Sequence, residues 1–184
     1  MKRKNNRMKK KIISVIFVIS FLTLVSTVTA VNAKKPLIGI MDLQFNLAWP
    51  GPQPDIPDWI GTITIDGLEY GMAFFAIGSG KSFDVDPSTS VHFFEEIYVI
   101  YFELDFTFNE DGTLGVFVPG DIALWGYDVG ITNMINSKYH MTGNVEEANG
   151  IFSQWLGRNV FMSGIIEWYP FGAPQFAPGT FRIN

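Results

Sequence analysis

Along residues 37–47 every odd position is apolar or glycine (Leu37, Gly39, Met41, Leu43, Phe45, Leu47), while Asp42, Gln44 and Asn46 point the other way. A period of two marks a half-buried strand, because successive side chains of an extended chain leave on opposite faces. Four prolines follow (Pro50, Pro52, Pro54, Pro57) and predict a loop, since proline cannot donate to a ladder. Residues 59–65 and 68–77 then flank Asp66-Gly67, whose tolerance of positive φ predicts a two-residue hairpin turn.

The most β-prone run covers residues 91–108, with His92, Phe94, Glu96, Tyr98, Ile100, Phe102, Leu104, Phe106 and Phe108 on its even face. Fully extended it would reach about 60 Å, too far for one strand of a small domain. A bulge or bend is expected near 97–101, where both faces are apolar. Asn109-Glu110-Asp111-Gly112 is the next turn, followed by strands over 113–118, 122–127, 139–145, 158–168 and 176–183. Residues 146–157 leave room for one short helical turn. The pattern predicts an all-β domain of eight or nine strands, an antiparallel closed barrel of about eight strands, with a β-sandwich as the alternative. The abundance of aromatic rings tilts the choice towards the barrel, whose interior they fill or line. No fixed-period repeat is present, which argues against a propeller or solenoid.

Only the N-terminus breaks this pattern. Seven basic residues lie within the first eleven, and an uncharged, mostly apolar run covers 12–30. It ends in two small-residue exits, Val28-Thr29-Ala30 and Val31-Asn32-Ala33. These are the three parts of a secretory signal. The apolar run also approaches the ~20 residues that span a bilayer, so an uncleaved anchor is the alternative. Residues 1–33 are therefore expected to form a hydrophobic export helix, signal peptide or membrane anchor, and residues 34–184 a single β domain. That domain is expected to be secreted or otherwise extracytoplasmic, and to meet the membrane only through an uncleaved N-terminus.

Charge changes the picture once that segment is set aside. The remainder carries 18 acidic against six basic side chains, a net charge of −12. Such a domain repels phosphate backbones and anionic lipid, so no nucleic-acid partner is expected. The same charge keeps an aromatic-rich protein dispersed. There is no cysteine, which excludes disulfides, a thiol nucleophile and a lipid-modified N-terminal cysteine.

Enzyme signatures are mostly missing. With only His92 and His140 there is no HExxH motif, and no nucleophile elbow, P-loop or dinucleotide fingerprint occurs. Gly78-Ser79-Gly80-Lys81 lacks the Walker spacing and reads as a loop. Asp84-x-Asp86 and residues 109–112 offer oxygen ligands, but neither follows the EF-hand order and both suit turns. No metal and no cofactor are expected. The best polar cluster is His92, Glu96 and Tyr98, sharing the even face with Phe94 and Phe102. Turned inward, it would place three protonatable groups at one end of an apolar cavity, where a carboxyl has a raised pKa. Turned outward, it is a hydrated strand end. With Trp125 from the tryptophan set, the candidate ligand-binding residues are His92, Phe94, Glu96, Tyr98, Phe102 and Trp125. No catalytic residue is assigned.

In the C-terminal third, Gly143-Asn144-Val145 leads to Ala148-Asn149-Gly150-Ile151-Phe152, then Trp155-Leu156-Gly157-Arg158, Ser163-Gly164 and Glu167-Trp168. This wording resembles the last hairpins of the allene-oxide-cyclase and dirigent-like barrels over about forty residues. The resemblance implies an eight-stranded antiparallel barrel whose apolar interior holds an oily substrate and guides its ring closure or coupling. That family's polar catalytic positions have no match in this chain, and the tail from Pro170 to Gly179 departs from the pattern.

The first expectation is an extracytoplasmic barrel that binds a small apolar ligand. A surface domain for an unknown protein partner, without a small-molecule site, comes next. A cyclase or isomerase using Glu96, His92 or Tyr98 in the barrel is the third reading. The enzyme question stays open, leaning towards none.

Overall fold

The structure, a computed structural model, describes residues 35–51, 53, 55–77, 85–86, 90–170 and 172–184. The expected export segment, the Gly78–Lys81 loop and Asp84 lie outside the described residues. All strands belong to a unit spanning Pro36–Asn184. They are β1 (Leu37–Phe45), β2 (Trp59–Ile65), β3 (Leu68–Ala76), β4 (Val85–Asp86), β5 (Val91–Tyr101), β6 (Leu104–Phe108) and β7 (Leu114–Pro119). After these come β8 (Ile122–Asn133), β9 (Lys138–Ala148), a 3₁₀ turn (Gly150–Trp155), β10 (Asn159–Ile165), β11 (Glu167–Trp168), β12 (Pro174–Phe176) and β13 (Gly179–Ile183). Among the described residues no helix is long and apolar enough to cross a membrane.

The strands close on themselves in the order β1, β2, β3, β5, β8, β9, β10, β13 and back to β1, every pair antiparallel. This is a closed eight-stranded antiparallel barrel, not a sandwich. Neighbours around it are neighbours in sequence once three excursions are set aside: β4, the β6–β7 hairpin and the β11–β12 hairpin. At the β2–β3 turn both Asp66 and Gly67 have positive φ (51° and 81°), the geometry that matches the twist of a hairpin.

Strand β5 ends in a register irregularity between Ile100 and Tyr101, and the chain then leaves the barrel as β6. Both faces are apolar there because both are covered. The odd-numbered Val99 and Tyr101 join Ala73 and Phe75 in a second cluster outside the barrel, packed with Leu104 and Phe117 of the β6–β7 hairpin. Phe117 meets Phe75 and Tyr101 edge-on at 6.2 and 6.4 Å. Glycine at position 71 permits this contact, since a Cβ there would lie 2.1 Å from the Leu104 Cβ.

Two elements differ from their sequence-based bounds. Strand β8 continues past Tyr127 to Asn133, through Asp128 and Gly130, which as isolated residues suit turns. The run expected over 158–168 breaks at Ile166 into β10 and β11. The helical turn falls inside its expected span, and it plugs one end of the barrel with Phe152 and Trp155. Phe152 stacks edge-on to Tyr70 at 5.3 Å and lies 6.0 Å from Phe102.

Candidate functional site

Alternation along each strand decides what faces the barrel interior. On β5 the inward set is His92, Phe94, Glu96, Tyr98 and Ile100, and the outward set begins with Phe93, which is half exposed. On β8 the pattern is inverted relative to an ordinary half-buried strand. Tyr127, Val129 and Ile131 face outward and are exposed, while Asp128 and Thr132 are buried. Glycines at 126 and 130 alternate with them. A Cβ on Gly130 would lie 2.3 Å from the Phe94 ring, and one on Gly126 would strike the Asn144 carbonyl oxygen. These glycines let large β5 side chains reach across the lumen.

Beyond the tightly packed layer of Tyr98, Phe74 and Met141 the barrel is hollow. A half-enclosed cavity of about 310 Å³ opens there, within the size range of small-molecule sites. Barrel strands supply Met41, Leu43, Phe45, Trp59, Phe94 and Tyr139 to its wall. Two chain excursions complete it. The first is the proline-rich connection between β1 and β2, which brings Trp49 and Asp58. It is held by Asn46, whose Oδ1 accepts from the N–H groups of Ala48 and Leu114 and whose Nδ2 donates to the Pro57 carbonyl. The second is the stretch from Ile166 to Ala177, of which only the part from Pro170 had no counterpart in the resemblance. It folds into the β11–β12 hairpin, pairs with β1 at Gln44 and Phe176, and contributes Ile166, Trp168, Pro174 and Ala177. The Trp168 indole donates to Ser137 Oγ at 2.8 Å, which pins that wall.

Two carboxyl groups line this apolar space and a third lies behind them. Asp58 is clamped by its backbone: its N–H donates to the Phe74 carbonyl and its carbonyl accepts from Asn46. Glu96 stands directly across the ladder from Asp128 on β8, in a row that continues to Gly143 on β9. Relative exposures of 3%, 6% and 2% for Asp58, Glu96 and Asp128 show that all three are buried. Asp58 Oδ1 and both Asp128 carboxyl oxygens have no hydrogen-bond partner.

Burial sets their acidity. Desolvation pushes Asp58 up to about 7, against hydrogen bonds from its own backbone, from Glu96, and from Trp59 and Ala76. Desolvation raises Glu96 well above the usual range, and the neighbouring Asp58 and Asp128 charges raise it further. Asp128 is raised by desolvation and then by Asp58. Asp58 and Glu96 share a hydrogen bond, which works to lower Asp58 and to raise Glu96. The Tyr98 and Tyr139 phenols are also raised, chiefly by burial. Tyr98 donates to the Asn144 carbonyl at 2.9 Å, and the Tyr139 hydroxyl reaches the Ala177 carbonyl at 3.3 Å. A hydrogen-bonded carboxylic acid beside a carboxylate is a proton donor next to an acceptor, or a seat for a positive charge.

The structure brings His92, Phe94 and Glu96 together on the cavity wall. Tyr98 faces inward too, but lies in the packed layer. Phe102 is at the plugged end, 6.5 Å from Tyr70. Trp125 is on the outer surface, where its indole donates to Glu147 Oε2 at 3.0 Å. Sequence reasoning missed Asp58, Asp128, Tyr139 and Trp168. Asp128 was traceable: Gly126, Asp128, Gly130 and Thr132 alternate with Tyr127, Val129 and Ile131 at period two. The 109–112 turn is closed by its own side chains, with Asp111 Oδ1 accepting from the Thr113 N–H and hydroxyl. Among the described residues no group of three His, Asp or Glu side chains has a metal-holding arrangement.

No protein-family model matches the chain, and searches of curated proteins and of solved structures return no match.

Proposed function

We propose that this barrel binds a small, largely apolar molecule in the cavity beneath the two excursions. The observation that carries this is the hollow itself: about 310 Å³ walled by aromatic and sulfur-containing side chains in an otherwise filled barrel. Ligand pockets combine such walls with a few convergent polar groups, a part that Asp58 and Glu96 fill. The hollow lumen favours this reading over a surface-docking domain. The basic-then-apolar N-terminus supports a site of action outside the cytoplasm. Native mass spectrometry of the protein isolated from its own source tests the reading. A small molecule that leaves on unfolding is the expected result. A bare mass, together with no uptake of an apolar fluorescent probe, would overturn it.

The Glu96–Asp58 pair supports a second reading, acid–base chemistry on an apolar substrate. The resemblance to allene-oxide-cyclase and dirigent-like barrels suggests ring closure, coupling or isomerisation as the reaction class. Glu96 would act as the proton donor and Asp58 as the acceptor. Loss of turnover in Glu96→Gln with substrate binding retained is the expected signature; full activity in that variant would end this reading.

A further inference from the structure

We propose that the ligand of this cavity is an organic cation: a compact hydrophobic molecule bearing one amine or quaternary nitrogen, seated against Asp58 and Glu96 and enclosed by the aromatic wall. The inference rests on the ligand-binding reading and names the chemistry of what is bound.

Among the described residues the lumen carries buried carboxyls and no counter-charge from lysine or arginine. The four described residues of those types, Lys35, Lys138, Arg158 and Arg182, are all exposed. What raises Asp58, Glu96 and Asp128 is burial, joined for Glu96 and Asp128 by the neighbouring carboxyls. Among the described residues of the wall His92 is the one basic side chain, and its ring lies 6.1 Å from Phe94. A buried carboxyl oxygen without a hydrogen-bond partner is costly, and a cation seated at the cavity wall would offset that cost for Asp58. Asp58 is almost wholly buried, it lines the cavity, and its Oδ1 has no hydrogen-bond partner.

The walls point to the same chemistry. Phe45 lies edge-on between Trp59 and Trp49, at 5.1 and 6.1 Å, and Phe94 and Trp168 complete the ring of aromatic side chains. Aromatic faces carry negative quadrupole density, which attracts cations most strongly where water is excluded. Aromatic walls with a carboxylate floor therefore recognise a nitrogen cation twice over. A fatty acid or other anionic lipid would meet like charge at that floor.

Titration calorimetry on the full-length protein at pH 8, with 4-phenylbutylamine and its uncharged analogue 4-phenylbutanol, tests this. The amine is expected to bind about tenfold tighter or better than the alcohol. Asp58→Asn and Glu96→Gln are close in shape to the originals, and the preference should collapse in both while the alcohol still binds, which also reports an intact barrel. Equal affinity for amine and alcohol overturns the cation assignment and leaves the apolar cavity standing. Failure of both probes overturns the assignment and the ligand-binding reading together. A preference that survives both substitutions places the nitrogen elsewhere and overturns the assignment too.

Discussion

The two ends of the barrel lumen are built from the same alternating strands and serve opposite ends. At one, Tyr70, Phe102, Phe152 and Trp155 interlock with Met72, Ile100 and Leu124. At the other, rings line a space instead of filling it, with Asp58 and Glu96 buried at its wall and Asp128 buried behind them. A filled end stabilises through dispersion and apolar burial. A hollow end with desolvated acids does the reverse, and it persists because the filled end and the outer hairpin cluster carry the fold. The contrast separates the residues that hold this protein together from those that give it something to do.

Truncation should expose the contrast most strongly. Phe152→Ala removes a fully buried ring from the plug, and should cost about 3–5 kcal/mol in denaturant unfolding. Phe94→Ala borders existing space, and should cost about 1–2 kcal/mol while enlarging the cavity. Equal losses at the two ends would break the comparison.

Acidity is the next lever. An acid whose folded pKa lies above its unfolded value binds more protons in the native state, so its penalty is absent below the unfolded pKa and grows as pH rises. With Asp58 near 7 and Glu96 and Asp128 raised further, stability should fall steadily from about pH 4 through pH 7 and beyond. Asp58 alone represents on the order of 4 kcal/mol over that window. Asp111 and Glu147 are held below their ordinary range by side-chain hydrogen bonds and work in the opposite sense, but only on the acid side. Thermal unfolding between pH 4 and 9 checks this; a melting temperature that rises towards pH 9 would contradict it.

A smaller effect sharpens the same point. Asp128→Asn removes the proton-linked penalty of a buried acid with two unpartnered oxygens, and should stabilise the protein at pH 8 by about 1–3 kcal/mol. The gain should shrink towards zero at pH 4. Least of all in stability terms is Gly130→Ala, whose new Cβ meets only the far edge of the Phe94 ring and the Met141 side chain. It should leave stability within about 1 kcal/mol. Phe94 would turn into the cavity, and ligand affinity should drop several-fold in direct titration.

Where alternation was regular and its apolar face turned inward, the sequence could be read. The alternation of β1, the Asp66-Gly67 hairpin and the shared face of His92, Phe94 and Glu96 followed from period two and turn chemistry, but whether that face turned inward or outward did not. The short helical turn was expected within 146–157, but not that its Phe152 and Trp155 plug the barrel. Legibility failed where side chains facing the lumen were small or charged. Gly126, Asp128 and Gly130 suit turns one at a time, and only the glycine clearances at Phe94 and Asn144 show why a strand needs them. Asp58 was hidden differently. It follows four prolines, and nothing local announces that Asn46 and Phe74 clamp its backbone at the lumen. Phe102 keeps the inward parity of β5 but packs at the plugged end of the lumen, and Trp125 shares the outward parity of Tyr127, Val129 and Ile131, so residue type alone did not place either of them at the cavity.

The seam between β1 and β13, with Leu37 opposite Ile183 and Met41 opposite Gly179, joins the two extremes of the barrel sequence. Its consequence lies in the order of assembly. Seven strands can pair as a curved meander while the chain is being made, but the outer edge of β1 has no ladder partner in that seam until β13 arrives. An unsealed edge is a template for other chains, and closing it means joining segments at nearly the greatest separation the barrel contains. Ring closure is thus the pairing that must close the longest loop in the barrel, and the edge of β1 stays open to other chains until the five-residue β13 pairs with it.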